Sequence, residues 1–117
     1  VYVSGMRSLD PYGTRIWGFD APSGRILFAK DSNGVGALAA SSARVYVGGG
    51  GYQRPLWAID PLTGDETSWQ PDMQFVIRSG TYGDYTSINT MLLDGGRLYF
   101  GGLFLSTTGR LNLTAVD

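Results

Sequence analysis

The sequence predicts an all-β chain, and three observations carry the prediction. Short runs of β-branched, aromatic and leucine residues alternate with clusters of Gly, Pro, Ser and Asp, the punctuation of strands and turns. No window of eleven or more residues shows an apolar period of 3.6, so no substantial helix is expected. The chain also resembles itself at long intervals, which points to a repeated supersecondary unit.

The self-similarity is read motif by motif. Val1-Tyr2-Val3-Ser4-Gly5 matches Val45-Tyr46-Val47-Gly48-Gly49 and Leu98-Tyr99-Phe100-Gly101-Gly102, at spacings of 44 and 53 residues. Ile16-Trp17-Gly18-Phe19-Asp20 matches Leu56-Trp57-Ala58-Ile59-Asp60 and Leu113-Thr114-Ala115-Val116-Asp117. Val35-Gly36-Ala37-Leu38-Ala39-Ala40 matches Ile88-Asn89-Thr90-Met91-Leu92-Leu93. Asp20 to Val35 is 15 residues, whereas Asp60 to Ile88 is 28, so the second copy holds a 13-residue insertion near 71–85. A period in the forties with four strand-like pieces predicts β-propeller blades of four antiparallel strands.

The strands of a blade, a to d from the axis outward, are assigned in order. Strand a covers 35–40 and 88–93, and strand b covers 1–4, 44–48 and 97–101. Strand c covers 15–20, 55–60 and 112–116, and strand d covers 25–30 and 66–70. The chain therefore reads b-c-d, a-b-c-d, a-b-c: a partial blade over 1–34, a full blade over 35–87 and a partial blade over 88–117. Most runs are apolar on both faces, as expected of sheets sandwiched between neighbours. These amount to about two and a half blades, whereas propellers close with roughly four to eight. The open faces are expected to be covered by further blades, from the same longer chain or from identical copies. Beginning at Val1 inside an apolar pattern, the chain is expected to be a segment of a longer protein or a processed product.

Composition excludes several functions. There is no Cys, hence no disulfide, thiolate metal site or Cys nucleophile, and no His, the commonest general base. The net charge of −1 gives no basic field for nucleic acid. No run of 18 apolar residues exists to span a membrane as a helix. No metal site, cofactor or catalytic residue is expected, and the segment is read as non-enzymatic.

The repeated acidic residues read as turn caps. Asp20 and Asp60 open Asp-x-x-Ser/Thr-Gly turns, in which the carboxylate accepts backbone N–H bonds and Gly supplies a positive φ. Asp94-Gly95-Gly96 is a hairpin signal. Asp31-Ser32-Asn33-Gly34 begins like a calcium loop but lacks the distal Glu, and reads as a tight turn. The glycine run from Gly48 to Gly51 lacks phosphate-loop spacing and reads as a bulge or close backbone approach. Trp17, Trp57 and Trp69 read as packing between blades. Asn112-Leu113-Thr114 is an N-glycosylation sequon.

In propeller geometry every long connection falls on one face, the side of the b–c and d–a loops. Those connections carry the candidate ligand- or partner-binding residues Tyr52, Arg54, Arg78, Tyr82, Asp84 and Tyr85, beside Arg7, Asp10, Tyr12, Gln53, Phe104 and Arg110. Tyr and Arg supply rigid contact area and forked hydrogen bonding. A sugar stacking on Tyr82 or Tyr85, with Asp84 or Arg78 bonding its hydroxyls, is one use. Packing against an adjacent domain or subunit is the other.

The phrases Leu56-Trp57-Ala58-Ile59-Asp60-Pro61-Leu62-Thr63-Gly64, Trp69-Gln70-Pro71 and the stretch from Ile88 to Phe104 carry a resemblance. They are similar to extracellular prokaryotic β-propeller repeats, the delta-60-like repeats of large secreted and cell-surface proteins. The first copy departs from that pattern, with no Trp-x-Pro after its Asp-turn and Ser4-Gly5 in place of Gly-Gly. A more distant resemblance, over 16–28, is to PQQ-type quinoprotein propeller repeats. The first resemblance implies an extracellular or cell-surface scaffold or protein-interaction module, compatible with a surface assembly or filament. The rivals are a lectin-like, carbohydrate-binding propeller and a fragment of a propeller enzyme, quinoprotein or polysaccharide-active.

Overall fold

The computed structural model describes residues 1–6, 13–51, 55–69, 71, 86–106 and 109–116. Among them are nine strands and no helix. In chain order they are β1 (Tyr2–Met6), β2 (Gly13–Phe19), β3 (Ile26–Asn33), β4 (Val35–Ala40), β5 (Val45–Gly51), β6 (Leu56–Ile59), β7 (Thr86–Asp94), β8 (Arg97–Ser106) and β9 (Gly109–Val116). They form three antiparallel groups: β1-β2-β3, β4-β5-β6 and β7-β8-β9. The end of β5 also pairs with β7, at Gly50↔Ser87 and Gly51↔Thr86, and so joins the second group to the third. Among the described residues no sheet closes on itself.

The second sheet lies between the other two, because its strands are apolar on both faces. Side chains alternate across a strand. In β5, Val45 and Val47 pack with Ile16 and Phe28 of the first sheet, while Tyr46 packs toward Leu98 and Phe100 of the third. In β6, Trp57 and Ile59 join the first core, and Leu56 joins the second. Two cores result, one on each side of β4-β5-β6.

Strict alternation breaks at one place in β4 and one in β7. Val35 and Leu38, three positions apart, both reach the first core, and Ile88 and Met91 both reach the second. A register shift lies between each pair, at Gly36 and at Asn89. A bulge adds one residue to a strand and restores the side-chain direction. Both bulges face a Gly-Gly pair, Gly48-Gly49 and Gly101-Gly102. Glycine is needed there because backbones approach closely. A Cβ on Gly36 would run into the Ile88 carbonyl, and one on Gly102 into the Ser87 carbonyl. At Gly48 it would stand 2.5 Å from Ile88 Cγ2.

Three segments differ from the sequence expectation. Where a full strand d is expected over 66–70, the described residues 66–69 make a single bridge, Ile59↔Glu66. Thr67 still reaches across, its N–H and its hydroxyl both donating to the Ala58 carbonyl (2.9 and 3.1 Å), but the Trp69 N–H donates to Thr67 Oγ1 (3.3 Å) instead of to β6. Such local bonds compete with a ladder. At 31–34 there is no four-residue turn. β3 runs through Asn33, and Gly34 alone, at φ +68°, turns the chain into β4. Thr14 Oγ1 clamps this corner, donating to the Ser32 carbonyl (2.5 Å) and accepting from the Val35 N–H (3.2 Å). The expected long connection over 102–111 is mostly ladder, with Phe104↔Leu111, Leu105↔Arg110 and Ser106↔Gly109 paired beyond an irregularity. The Asp31-Ser32-Asn33 run and the Gly101-Gly102 pair read as strand ends but do not forbid backbone pairing, so the pattern alone ended β3 and β8 too early.

Trp57 is buried in the first core, and Trp69 meets Tyr46 edge-on at 5.0 Å. Trp17 belongs to neither core: half-buried, it stands on the face of the first sheet opposite Ile16, with its ring over Gly5.

The cores set the expected stabilities. Phe100→Ala, at a 1% exposed position, is expected to cost about 3–5 kcal/mol in urea unfolding. Leu62→Ala, at a 66% exposed position, should cost less than about 0.5 kcal/mol. Gly36→Ala should cost about 1–3 kcal/mol by overpacking β4 against β7. Equal midpoints for Phe100→Ala and Leu62→Ala would contradict the packing described.

Candidate functional site

A continuous set of pairings ties one end of the three sheets together. Met6 pairs with Thr14, whose Oγ1 accepts from the Val35 N–H. Val35 pairs with Gly49, whose N–H donates to the Pro55 carbonyl at 2.8 Å. Two residues on, Gly51 pairs with Thr86. In sequence the segments 7–12, 52–54 and 72–85 adjoin residues of this end, namely Met6 and Gly13, Gly51 and Pro55, and Thr86.

The sequence-predicted binding residues belong to those connections. Tyr52, Arg54, Arg78, Tyr82, Asp84 and Tyr85 lie outside the described residues, as do Arg7, Asp10, Tyr12 and Gln53. Their strand anchors are described. Tyr52 follows Gly51 and Tyr85 precedes Thr86, and Gly51 and Thr86 are paired, so the two segments leave from one point of the backbone. The described groups at this end include two hydroxyls: Thr14 at its corner, and Ser87, whose hydroxyl donates to Asn89 Oδ1 at 2.8 Å. Among the described residues no three acidic side chains gather where they could hold a metal ion. Asn112 stands within β9 rather than in a loop.

At the opposite end the repeated aspartates build turns. Asp60 Oδ1 accepts the N–H groups of Leu62 (2.8 Å) and Thr63 (3.0 Å), and its carbonyl accepts from Gly64 N–H (3.0 Å). Gly64 sits at φ +74°. Asp20 repeats the device: its Oδ2 accepts from the Ser23 N–H at 3.2 Å and from the Ser23 hydroxyl, with Gly24 at φ +70°. Asp94 pairs with Arg97 across a two-residue turn, Gly95-Gly96, both at positive φ, the geometry a tight hairpin demands.

The two Asp-turns differ in their surroundings. The Asp60 turn docks on the first sheet: Tyr2 Oη donates to the Pro61 carbonyl (3.1 Å), and Lys30 Nζ meets Asp65 Oδ1 (2.8 Å). A Cβ on Gly64 would strike the Phe28 ring at 2.5 Å. A Cβ on Gly24 would meet nothing within 4 Å. The docking contacts of Tyr2 and Lys30 escape sequence reasoning, because they cross between sheets 59 and 35 residues apart in the chain.

Electrostatics follows the same bonds. The Leu62 and Thr63 amides hold the Asp60 carboxyl below its ordinary value of 3.8. The Lys30 hydrogen bond does the same for Asp65. On the first sheet, Arg15 Nε meets Asp31 Oδ1 at 2.7 Å, and the carboxylate holds the guanidinium above its ordinary range.

Comparison with protein-family models, with curated proteins and with solved structures returns no match.

The turns generate two expectations. Asp60→Ala should lower the thermal midpoint more than Asp20→Ala, because only the Asp60 turn also seats one sheet on another. Asp60→Asn should fall between wild type and Asp60→Ala, since an amide oxygen still accepts the two N–H bonds. For pH, Asp60 and Asp65 have folded values depressed below 3.8, so their stabilisation is complete above that value. It is lost as pH falls through the lower folded values. The midpoint should therefore be flat from about pH 7 to 5 and fall below about pH 4. The double variant Asp60→Asn/Asp65→Asn should flatten that fall, as read by circular dichroism melts.

Proposed function

We propose that the three sheets are successive blades of a β-propeller, and that the chain is a non-catalytic scaffold and interaction module of a secreted or cell-surface protein. The observation that carries the reading is a repeated mode of stacking. Val45 and Val47 of β5 are buried against the first sheet, and Leu98 and Phe100 of β8, 53 residues on, are buried against the second. The matching Gly-Gly bulges support it, since both copies reproduce one local geometry. The close approach of β4 to β7 supports it too, because innermost strands of neighbouring blades crowd around an axis.

A scaffold role suits what the acidic side chains do. Asp60 and Asp65 are engaged in a turn and an inter-sheet ion pair, and Asp20 in a turn. The end at which Gly51 pairs with Thr86, adjoining 52–54 and 72–85 in sequence, is the surface we assign to partner contact, because long connections on a rigid scaffold are where binding concentrates. The secreted or surface setting rests on the likeness of the 56–104 motifs to extracellular propeller repeats.

The reading is tested with the purified chain on chromogenic glycosides, on alcohol substrates with an electron-accepting dye, and on a glycan array. No turnover and no glycan signal are expected. Turnover abolished by Asp20→Asn or Asp60→Asn, with the β circular dichroism retained, would overturn it in favour of an enzyme. Glycan binding lost in Tyr82→Ala or Tyr85→Ala would replace it with a lectin.

A further inference from the structure

The two outer faces of the stack carry the two halves of an interface that the molecule already makes twice. On the outer face of the first sheet stand Val1, Val3 and Trp17, the sequence counterparts of Val45, Val47 and Trp57. The counterparts in the second sheet are buried, at 0%, 0% and 7% exposure, whereas Val1 and Val3 are exposed by 65% and 47%. On the outer face of the third sheet stand Leu92 and Tyr99, the counterparts of Ala39 and Tyr46. Ala39 and Tyr46 pack against the third sheet, whereas Leu92 is 63% exposed. One face is thus of the kind that receives a preceding sheet, and the other of the kind that covers a following one.

We propose that a second copy of this chain docks head to tail, with the Leu92–Tyr99 face of one copy seated on the Val3–Trp17 face of the next. This rests on reading the sheets as successive blades. Continuity with the internal interfaces argues for it: the same positions, in the same order, would meet across the new contact. The Asp20 turn argues for it as well. Its counterpart, the Asp60 turn, rests on a neighbouring sheet, whereas a Cβ on Gly24 would meet nothing within 4 Å. Two unlike faces meet, so the association is heterologous and can propagate from copy to copy, as a ring or a filament. Large exposed apolar patches are the usual mark of such contacts.

The test blocks one face at a time. Light scattering of the wild-type chain should give masses above 12.6 kDa that rise with concentration. Val3→Glu and Leu92→Glu should each remain at 12.6 kDa, because each retains one competent face. Their equimolar mixture should form a dimer of twice that mass, the open Leu92 face of the Val3→Glu chain on the open Val3 face of the Leu92→Glu chain. Val1→Glu and Tyr99→Glu serve as second variants if either first choice loses its β circular dichroism. A folded wild type that stays monomeric at millimolar concentration overturns the proposal, and so does a mixture that does not associate. Self-association of Leu92→Glu alone overturns it in favour of a symmetric contact between first sheets. Val47→Ala in a monomeric wild-type background separates the two readings. A lowered urea midpoint leaves the blade stacking standing and removes only the head-to-tail contact, while an unchanged midpoint removes the stacking with it.

Discussion

The burial of the middle sheet on both faces organises everything else in this molecule. A sheet with one wet face alternates apolar and polar residues, and its register is fixed by that alternation. Here β5 and β6 have no wet face. Val45, Val47, Trp57 and Ile59 are removed from water by the first sheet, and Leu56, beside Tyr46, by the third. Each fully buried apolar side chain contributes about 1.5–3 kcal/mol. The ladders supply backbone pairing, but an isolated three-stranded sheet of this size would be marginal. Stacking makes the sheets worth forming.

Stacking at this density requires backbone adjustments, and they occur where side chains are absent. The bulges at Gly36 and Asn89 rotate the first part of β4 and β7, so that Val35 and Ile88 turn into the same cores as Leu38 and Met91. Opposite each bulge a Gly-Gly pair leaves room for a neighbouring strand. Gly36 against the Ile88 carbonyl and Gly102 against the Ser87 carbonyl are contacts that a methyl group would prevent. The glycines are thus part of the packing as much as the large residues are.

Polar contacts fix alignment more than they supply stability. Lys30–Asp65 and Arg15–Asp31 are exposed pairs, and such pairs add little in water. Their geometry still matters. Lys30 and Tyr2 hold the Asp60 turn on the first sheet, and the Thr14 hydroxyl holds the corner where β3 becomes β4. These bonds join elements that the hydrophobic effect alone, being non-directional, would leave free to slide.

Much of this was legible in the residues. The β-branched and aromatic runs locate the strands, the doubly apolar Val45-Tyr46-Val47 announces a sandwiched sheet, and the Asp-x-x-Ser/Thr-Gly turns follow from local chemistry that needs no distant partner. Strand ends were less legible. At 31–33 pairing with a neighbour extends β3 through polar residues, and at 102–106 it extends β8 past the Gly101-Gly102 pair, while at 66–69 the Trp69 N–H turns back to Thr67 Oγ1. The candidate binding segments were visible only as long, Tyr- and Arg-bearing connections, and the structure adds the point of departure they share, Gly51 against Thr86. The sequence by itself determined the all-β class and the turns, because propensity, alternation and capping act over a few residues. Only the tertiary structure decided which face meets which, and that Val3 and Leu92 stand open where Val47 and Ala39 are covered. Those outcomes depend on contacts between residues tens of positions apart, which no local pattern encodes.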